Sequence, residues 1–377
     1  MNIIFICGSL ESGRDGVGDY TRRLAGQLNK LGNNASVIAI NDQFVSNLTI
    51  AVQNSEDSEI AIMRIPKQIS DAARFKYARE WVEQNQPDWI SLQYVPFAFH
   101  DKGLPYTWTN YMELLTAKNN LHIMFHELWV GMSKESSYKE KIWGRLQRSL
   151  IKSTINRLKP KVITTQTQLY INYLNTLGFN AFQIPLFGNI ERSKSIKDIS
   201  DKNEKSNDDI SFIIFGGIHA NAPAESFAKF VAIKFANKLN KVKLILIGRC
   251  GHEQNTWIHA WKNEGMQTLV LGEQSQSVIS RELSNANFGI STTPTALLDK
   301  SGSVAAMLEH GLKVISVSRK WQPTIKGPIN IADGIVLYDP NQTIDILELS
   351  KFNENLNSLE SVTNQFVEKL NSINING

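Results

Sequence analysis

Short apolar runs alternate with helical segments along the chain, and this alternation limits the possible folds more than any other feature. In the first half, apolar runs predict strands at 3–7, 35–40, 59–65, 88–95, 122–126, 162–165 and 182–185. In the second half, they predict strands at 211–215, 243–248, 268–271, 288–291, 313–317 and 334–337. Helices are predicted between them, for example at 70–84, 139–158, 224–239 and 303–310. Strands that alternate with helices form parallel sheets covered on both faces. The sequence therefore predicts an α/β protein with two doubly wound, Rossmann-like domains.

A polar stretch separates the two halves. Residues 191–209 are rich in Ser, Lys, Asp and Asn and contain almost no large apolar residue, which is typical of a linker. At 377 residues, the chain is also long for a single core. We expect an N-terminal domain at 1–190, a linker at 191–210, a C-terminal domain at 211–340 and a helical tail at 341–377. Ligands of such sheets bind beyond the carboxyl ends of the strands, so we expect the site in a cleft that both domains face.

Composition narrows the functional class and the location. A net charge of +4 is too small to indicate a nucleic-acid partner, although it permits loose contact with an anionic membrane. Cys7 and Cys250 end apolar runs, where reduced core thiols are usual, so we expect a cytoplasmic protein. No apolar run approaches the roughly 20 residues of a membrane-spanning helix. Met1 leads almost directly into the first strand, so no signal peptide is expected.

A glycine-rich loop follows the first predicted strand. Glycines stand at 8, 13, 16 and 18, and a helix is predicted from about residue 19. A loop of this kind can present N–H groups and a positive helix end to an anion, so Gly16, Val17 and Gly18 are candidate substrate contacts. The alternative is that the glycines only make the turn. The third glycine of a GxGxxG pattern is missing after Gly18, which argues against a nicotinamide cofactor, and we expect none.

Polar residues also end two later strands of the first half. Gln93 and Tyr94 precede an aromatic loop that suits sugar rings, or that simply caps the sheet. His126 and Glu127 follow the next strand, where a histidine can bond a substrate hydroxyl and a carboxylate can orient it or accept its proton. A core histidine with satisfied hydrogen bonds is the alternative. A zinc HExxH motif is excluded because residue 130 is Val, and no metal site is predicted.

The second half contains a candidate diphosphate site. Gly217 and His219 follow its first strand, and Arg249 ends the next, where a cation can meet a phosphate. For Arg249 the alternative is an ordinary surface residue. The start of a later helix combines a lysine, two hydroxyls and a glycine: Lys300, Ser301, Gly302 and Ser303. Such a helix end favours a diphosphate, although an ordinary capped helix has the same pattern.

These features together resemble the GT-B glycosyltransferases, and most closely the retaining family called glycosyl transferases group 1. Gly16-Val17-Gly18 resembles the N-terminal loop of that family, and Phe125-His126 resembles the strand-end histidine that contacts the donor sugar. Residues 305–315 resemble its Glu-Ala-Met-Ala-x-Gly-x-Pro-Val-Ile segment. The resemblance implies transfer of a hexose from a nucleoside-diphosphate sugar, such as UDP- or GDP-hexose, with retention. The acceptor would be a hydroxyl of a glycan or of a lipid-linked molecule.

The resemblance also implies roles for individual residues. His126 would hold the sugar, Glu127 would orient it, and Lys300 and Arg249 would stabilise the leaving diphosphate without a metal. No protein base is implied, because the leaving phosphate takes the acceptor proton on the same face. The basic helix at 139–158 could seat the domain on the inner face of an anionic membrane, and a solvated helix face is the alternative.

Two glutamates of the family pattern are missing. Ala306 and Leu298 stand in their places, and Glu309 and Asp299 are the nearest acids. Two alternatives therefore remain open. One is a sugar-nucleotide 2-epimerase of similar fold, and the other is a degenerate transferase that binds a glycan without catalysis.

Overall fold

The computed structural model describes residues 1–192, 209–340 and 357–374. The chain divides into two compact units. The first unit comprises Met1–Pro185, Gln322–Pro328 and Leu359–Gly377, and the second comprises Leu186–Trp321 and Ile329–Ser358. The predicted linker at 191–210 and the first part of the predicted tail lie almost entirely outside the described residues. The described part of the tail forms a helix that belongs to the first unit.

The first unit is built on a sheet of eight strands. They are β1 (Asn2–Cys7), β2 (Asn34–Asp42), β3 (Thr49–Ser55), β4 (Ser58–Pro66), β5 (Trp89–Tyr94), β6 (Asn120–Phe125), β7 (Val162–Thr165) and β8 (Phe182–Gln183). Their order is β3-β4-β2-β1-β5-β6-β7-β8, and only the β3–β4 pair is antiparallel. Without β3, the order is that of a Rossmann sheet with one further strand, and it reverses between β1 and β5.

The second unit has a sheet of six strands, all parallel. They are β9 (Ile210–Phe215), β10 (Val242–Ile247), β11 (Gln267–Gly272), β12 (Phe288–Ser291), β13 (Lys313–Ser316) and β14 (Ile335–Leu337). The order β11-β10-β9-β12-β13-β14 is that of a Rossmann fold, and it reverses between β9 and β12. The predicted fold class, with two doubly wound sheets, is confirmed.

Helices flank both sheets. The first unit contains α1 (Gly16–Lys30), α2 (Asp71–Asn85), α3 (Pro96–Phe99), α4 (Trp108–Thr116), α5 (Tyr138–Leu158), α6 (Gln168–Asn175) and, from the end of the chain, α11 (Leu359–Asn374). The second contains α7 (Ala224–Lys234), α8 (Gln254–Asn263), α9 (Gln276–Asn285) and α10 (Gly302–Glu309). Helix α11 is held by aromatic packing, since Phe366 stacks on Phe5 of β1 with the ring centroids 5.9 Å apart. Among the described residues, no helix is long and apolar enough to span a membrane.

Strand β3 was not predicted. No strand was predicted between residues 40 and 59, but β3 and β4 form a hairpin whose turn residues, Glu56 and Asp57, have φ values of +56° and +60°. Two left-handed residues are typical of a tight hairpin turn. Strand β3 lies at the edge of the sheet, and its Ile50 and Val52 are exposed. Because it has no buried face, β3 lacks the apolar run that marks the other strands.

Candidate functional site

The start of α1 differs from the prediction. The helix begins at Gly16, three residues earlier than expected, with Asp15 as its N-cap. The Asp15 carboxylate accepts hydrogen bonds from Val17 N at 2.9 Å and Gly18 N at 3.3 Å. Burial raises the pKa of this carboxyl despite the two hydrogen bonds. The N–H groups expected to face an anion are therefore bound within the loop, and an anion there would have to replace Asp15.

Gly18 has a packing role that the sequence did not reveal. A Cβ atom built on Gly18 would lie 2.4 Å from the carbonyl oxygen of Ser9, in the loop that follows β1. No heavy atom lies within 4 Å of a Cβ built on Gly16. Gly18 thus allows α1 to pack closely against the loop after β1, whereas Gly16 has no such constraint.

His126 lies at the carboxyl edge of the first sheet, where several elements meet. Its Nε2 is 2.8 Å from Gln93 Oε1, and its Nδ1 is 2.8 Å from Gln166 Nε2. The edge of the ring contacts Tyr20 of α1, with centroids 4.9 Å apart. The structure therefore brings together two predicted site residues, Gln93 and His126. It adds Gln166, which directly follows β7 and which the same strand-end reasoning could have found.

The structure corrects the expectation for Tyr94. This residue was a candidate substrate contact. It is as buried as Gln93, but its ring packs against the aromatic rings of Phe99 and Phe125, with centroids 6.0 and 5.1 Å away. Burial raises the pKa of its hydroxyl. Successive residues of a strand point to opposite faces, so Gln93 and Tyr94 cannot serve the same surface. Glu127 is exposed just beyond β6, as expected of a residue at the sheet edge.

In the second unit, the loops after β9 and β12 meet at the reversal point of the sheet. Gly216 has a φ of +82°, and a Cβ on it would lie 3.8 Å from Cβ of Ser303. Ser301 caps α10 through its Oγ, which accepts from Val304 N at 3.4 Å and lies 3.1 Å from Ser303 Oγ. Gly217 has open space around its Cα. A glycine turn thus lies beside the positive end of α10.

Three basic residues lie in the loops at this end of the sheet: His219 after β9, Lys300 just before α10 and Arg319 after β13. The backbone N–H of His219 donates a hydrogen bond to Thr292 Oγ1 at 2.8 Å. Partial burial, together with the positive charges of Arg319 and Lys300, lowers the pKa of His219. Mutual repulsion of nearby cations is relieved by an anion, so this cluster favours binding of a phosphate. Arg319 was missed by the sequence analysis, although it comes three residues after β13 and the strand-end reasoning applies to it as well.

Of three other predicted residues, Arg249 and Glu309 have partners outside this group. Arg249 follows β10, on the other side of β9 from β12, and forms a surface ion pair with Glu273 at 3.3 Å. Glu309 is the last residue of α10, about 10 Å along the helix axis from Gly302. Its carboxylate accepts from Gly188 N at 2.9 Å. Asp299 is half-buried in the 3₁₀ turn before α10.

A second buried histidine lies within the first sheet. His122 of β6 is 2.8 Å from Ser91 Oγ through Nδ1 and 2.7 Å from Thr164 Oγ1 through Nε2. Burial lowers its pKa from 6.5 to about 3. His122 is therefore a neutral core residue, and this is the environment in which a lone strand histidine is usually found.

The depressed pKa of His122 predicts a pH-dependent stability. Between the ordinary value of 6.5 and the folded value of about 3, the unfolded chain binds a proton that the folded protein does not. Above pH 6.5, His122 does not lower the free energy of unfolding. As the pH falls from 6.5 towards 3, this residue lowers the free energy of unfolding by about 1.4 kcal/mol per pH unit. The free energy of unfolding can be measured by urea titration at several pH values between 3 and 6.5. In His122→Gln, its slope against pH should be smaller than in the wild type by about 1.4 kcal/mol per pH unit. His252→Gln, at an exposed histidine, controls for the substitution itself, and an unchanged slope in His122→Gln would contradict the prediction.

Comparison with solved structures identifies the fold. The chain is similar to HepE from Anabaena in complex with UDP and glucose, with a TM-score of 0.61, 13% identity, and 99% and 100% of the two chains covered. It is similar to a glycosyltransferase from Rickettsia africae, with a TM-score of 0.60, 14% identity and coverage of 100% and 99%. It also resembles α,α-trehalose 6-phosphate synthase from Burkholderia multivorans, with a TM-score of 0.58, 12% identity and coverage of 99% and 97%. This chain has the GT-B fold.

The GT-B fold agrees with the two Rossmann-like units described above. No protein-family model matches the sequence, and no curated protein sequence matches it either. At the positions of the missing family glutamates, Ala306 and Leu298 are buried apolar residues. The retaining family suggested by the sequence therefore stays a prediction.

Proposed function

We propose that the protein is a glycosyltransferase that moves a hexose from a nucleoside-diphosphate sugar to a hydroxyl of a glycan or lipid-linked acceptor, with retention. The glycine turn after β9, which lies beside the start of α10 with Lys300 directly before that helix, is the observation that carries this proposal. Cations beside a helix N-terminus and a glycine turn are suited to a diphosphate. HepE, which has the same fold, binds UDP and UDP-glucose, so UDP-sugars are the first donors to test.

In the proposed reaction, negative charge builds on the leaving diphosphate as the glycosidic bond breaks. Lys300 and Arg319, with the N–H groups of Gly302 and Ser303, would stabilise this charge more in the transition state than in the bound donor. These protein cations would supply the charge that a divalent metal supplies in metal-dependent enzymes. The leaving phosphate would take the proton of the acceptor hydroxyl, and His126 would hold a hydroxyl of the donor sugar.

The proposal is tested with isotope-labelled UDP- and GDP-sugars, with and without EDTA, and with extracts of glycans and lipid-linked sugars as acceptors. We expect transfer of the labelled hexose, with EDTA having no effect and with the product anomer matching the donor. Conversion to an epimer without acceptor would indicate a 2-epimerase. Neither hydrolysis nor transfer from any donor would overturn the proposal.

A second candidate is a degenerate transferase that binds a glycan without catalysis. It is favoured by one observation: Ala306 stands in place of a family glutamate, and a nearby acid, Glu309, accepts a hydrogen bond from Gly188 N. Calorimetry with UDP and GDP separates the candidates, because a transferase should bind one of them at micromolar concentrations whereas a glycan-binding protein should bind neither.

We also propose that α5 contacts an anionic membrane that carries the acceptor. Tyr138, Ile142 and Leu146 are 75%, 41% and 43% exposed, and their spacing of four residues places them on one face of the helix. Lys139 and Arg145 are exposed beside them. An apolar stripe flanked by cations is the pattern of a helix that lies on an anionic lipid surface.

This contact predicts binding to vesicles of phosphatidylcholine and phosphatidylserine. Ile142→Ser with Leu146→Ser should weaken sedimentation with these vesicles by roughly ten-fold, because two apolar side chains no longer enter the interface. Ile233→Ser, which removes an exposed isoleucine of α7, should have no effect. Equal binding by all variants, or equal binding to pure phosphatidylcholine, would contradict the proposed surface.

A further inference from the structure

A row of buried polar side chains runs through the first sheet to its carboxyl edge. Ser91 and Gln93 of β5, His122 of β6 and Thr164 of β7 occupy alternate positions of neighbouring strands, so they share one face. Each is 1% exposed or less. Central parallel strands are normally continuous apolar runs, and buried polar groups are costly unless they are hydrogen-bonded. These residues are therefore expected to depend on one another.

The side chains form one unbroken chain of hydrogen bonds that includes His126. In order, the bonds join Gln166 Nε2 to His126 Nδ1 (2.8 Å), His126 Nε2 to Gln93 Oε1 (2.8 Å), Gln93 Nε2 to Ser91 Oγ (2.8 Å), Ser91 Oγ to His122 Nδ1 (2.8 Å), His122 Nε2 to Thr164 Oγ1 (2.7 Å) and Thr164 Oγ1 to Met124 Sδ (2.8 Å). The chain begins beyond the end of β7 and ends inside the sheet.

The inner end of the chain, at Met124, fixes the direction of the three bonds nearest to it. The thioether of Met124 can only accept, so the single hydroxyl proton of Thr164 is donated to it. Thr164 Oγ1 must then accept from His122, which places the proton of that ring on Nε2. Burial that lowers the pKa of His122 to about 3 keeps the ring neutral, so Nδ1 is an acceptor. Ser91 therefore donates its proton to His122.

The outer bonds follow from the same reasoning. Because Ser91 donates to His122, it accepts from the amide nitrogen of Gln93. The Gln93 oxygen then faces His126 and accepts from Nε2–H, which leaves Nδ1 of His126 to accept from Gln166. Within the chain, each residue between the two ends donates once and accepts once, while Gln166 only donates and Met124 only accepts. Reversing any one bond would therefore leave two donors or two acceptors facing each other elsewhere in the chain.

We propose that Ser91 and His122 are positioning residues for His126, which they hold as the neutral Nε2–H tautomer with its Nδ1 lone pair directed towards Gln166. At Nδ1 the ring accepts a hydrogen bond. Under the proposed function, a sugar hydroxyl that replaced Gln166 there would have to donate its proton to Nδ1, which an unprotonated phosphate oxygen cannot do. That identification of the ligand rests on the proposed function, whereas the tautomer does not.

Nitrogen-15 NMR of histidine-labelled protein tests the tautomer directly, since the two ring nitrogens of a neutral histidine have distinct shifts. In the wild type at neutral pH, we expect His126 and His122 to carry the ring proton on Nε2. Loss of a signal in His126→Gln assigns the first ring. An Nδ1–H tautomer or a protonated ring at His126 would overturn the proposal.

Ser91→Ala interrupts the chain two bonds away from His126. We expect both tautomers of His126 to become populated and kcat for sugar transfer to fall roughly ten-fold, with KM for the donor changed less than about two-fold. Ser280→Ala is the matched control, because Ser280 is equally buried and its Oγ lies 2.9 Å from Nε2 of another buried histidine, His310. It should leave the His126 signals unchanged.

A pair of substitutions at His122 separates the hydrogen bond from packing. In His122→Gln the amide can still accept from Ser91 and donate to Thr164, so the His126 tautomer should be kept. In His122→Phe an aromatic ring still fills the space, but the hydrogen bonds to Ser91 and Thr164 are lost. Both tautomers of His126 should then be populated. An unchanged His126 spectrum in both Ser91→Ala and His122→Phe would overturn the proposal. Absence of transferase activity with the expected spectra would overturn only the proposed function.

Discussion

Arg319→Ala is expected to lower the rate of hexose transfer about 100-fold, which is the effect of removing one preorganised group that stabilises developing negative charge. Arg319 is near enough to His219 to lower its pKa, together with Lys300, at the start of α10. Because an arginine can hold two phosphate oxygens at once, Arg319→Lys should restore only part of the rate. The measurement is single-turnover transfer from a labelled UDP-sugar.

Two other cations, Lys320 and Arg249, provide controls for Arg319. Lys320 is exposed and adjacent in sequence, so Lys320→Ala keeps the change in net charge but leaves the cluster intact. Arg249 follows a strand on the far side of β9 and pairs with Glu273 at the surface. Each of these variants should retain at least about a third of the wild-type rate, since exposed charges contribute little. A loss in Arg249→Ala equal to that in Arg319→Ala would place the diphosphate elsewhere.

Much of the fold was predictable because burial determines it. Except for the edge strand β3, most strands of the two sheets are apolar runs bounded by turn residues, and connections between parallel strands need helices. Strand-end reasoning then placed Gln93 and His126 at one edge of the first sheet, and they are in hydrogen-bond contact. It also placed the glycine turn after β9 beside the start of α10.

The remaining features depend on side-chain direction and tertiary contacts, which local patterns do not contain. Tyr94 follows Gln93 by one residue and therefore faces the core instead of the edge. The Asp15 carboxylate accepts hydrogen bonds from the N–H groups of Val17 and Gly18 at the start of α1, where the glycine-rich sequence predicted an anion site. Arg319 was missed because only the order of the strands, which local patterns do not contain, places the loop after β13 beside the loop after β12.

Gly18→Ala is expected to lower the free energy of unfolding by about 2–3 kcal/mol, because a Cβ placed 2.4 Å from the Ser9 carbonyl forces the backbone apart. Gly16→Ala is the matched substitution two residues earlier in the same helix. No heavy atom lies within 4 Å of its Cβ, and alanine lowers the entropy of the unfolded chain. We expect it to raise the free energy of unfolding by about 0.5 kcal/mol.

The pair decides why this loop is rich in glycine. Both alanine variants keep their backbone N–H groups, so a loop that needs only those groups for an anion should tolerate the two changes equally. A loop built for close packing of α1 should tolerate only Gly16→Ala. Urea denaturation followed by circular dichroism measures the difference in stability, and calorimetry with UDP measures binding. Equal stabilities with equal losses of UDP binding would show that the glycines serve the ligand and that the contact between Gly18 and Ser9 can relax.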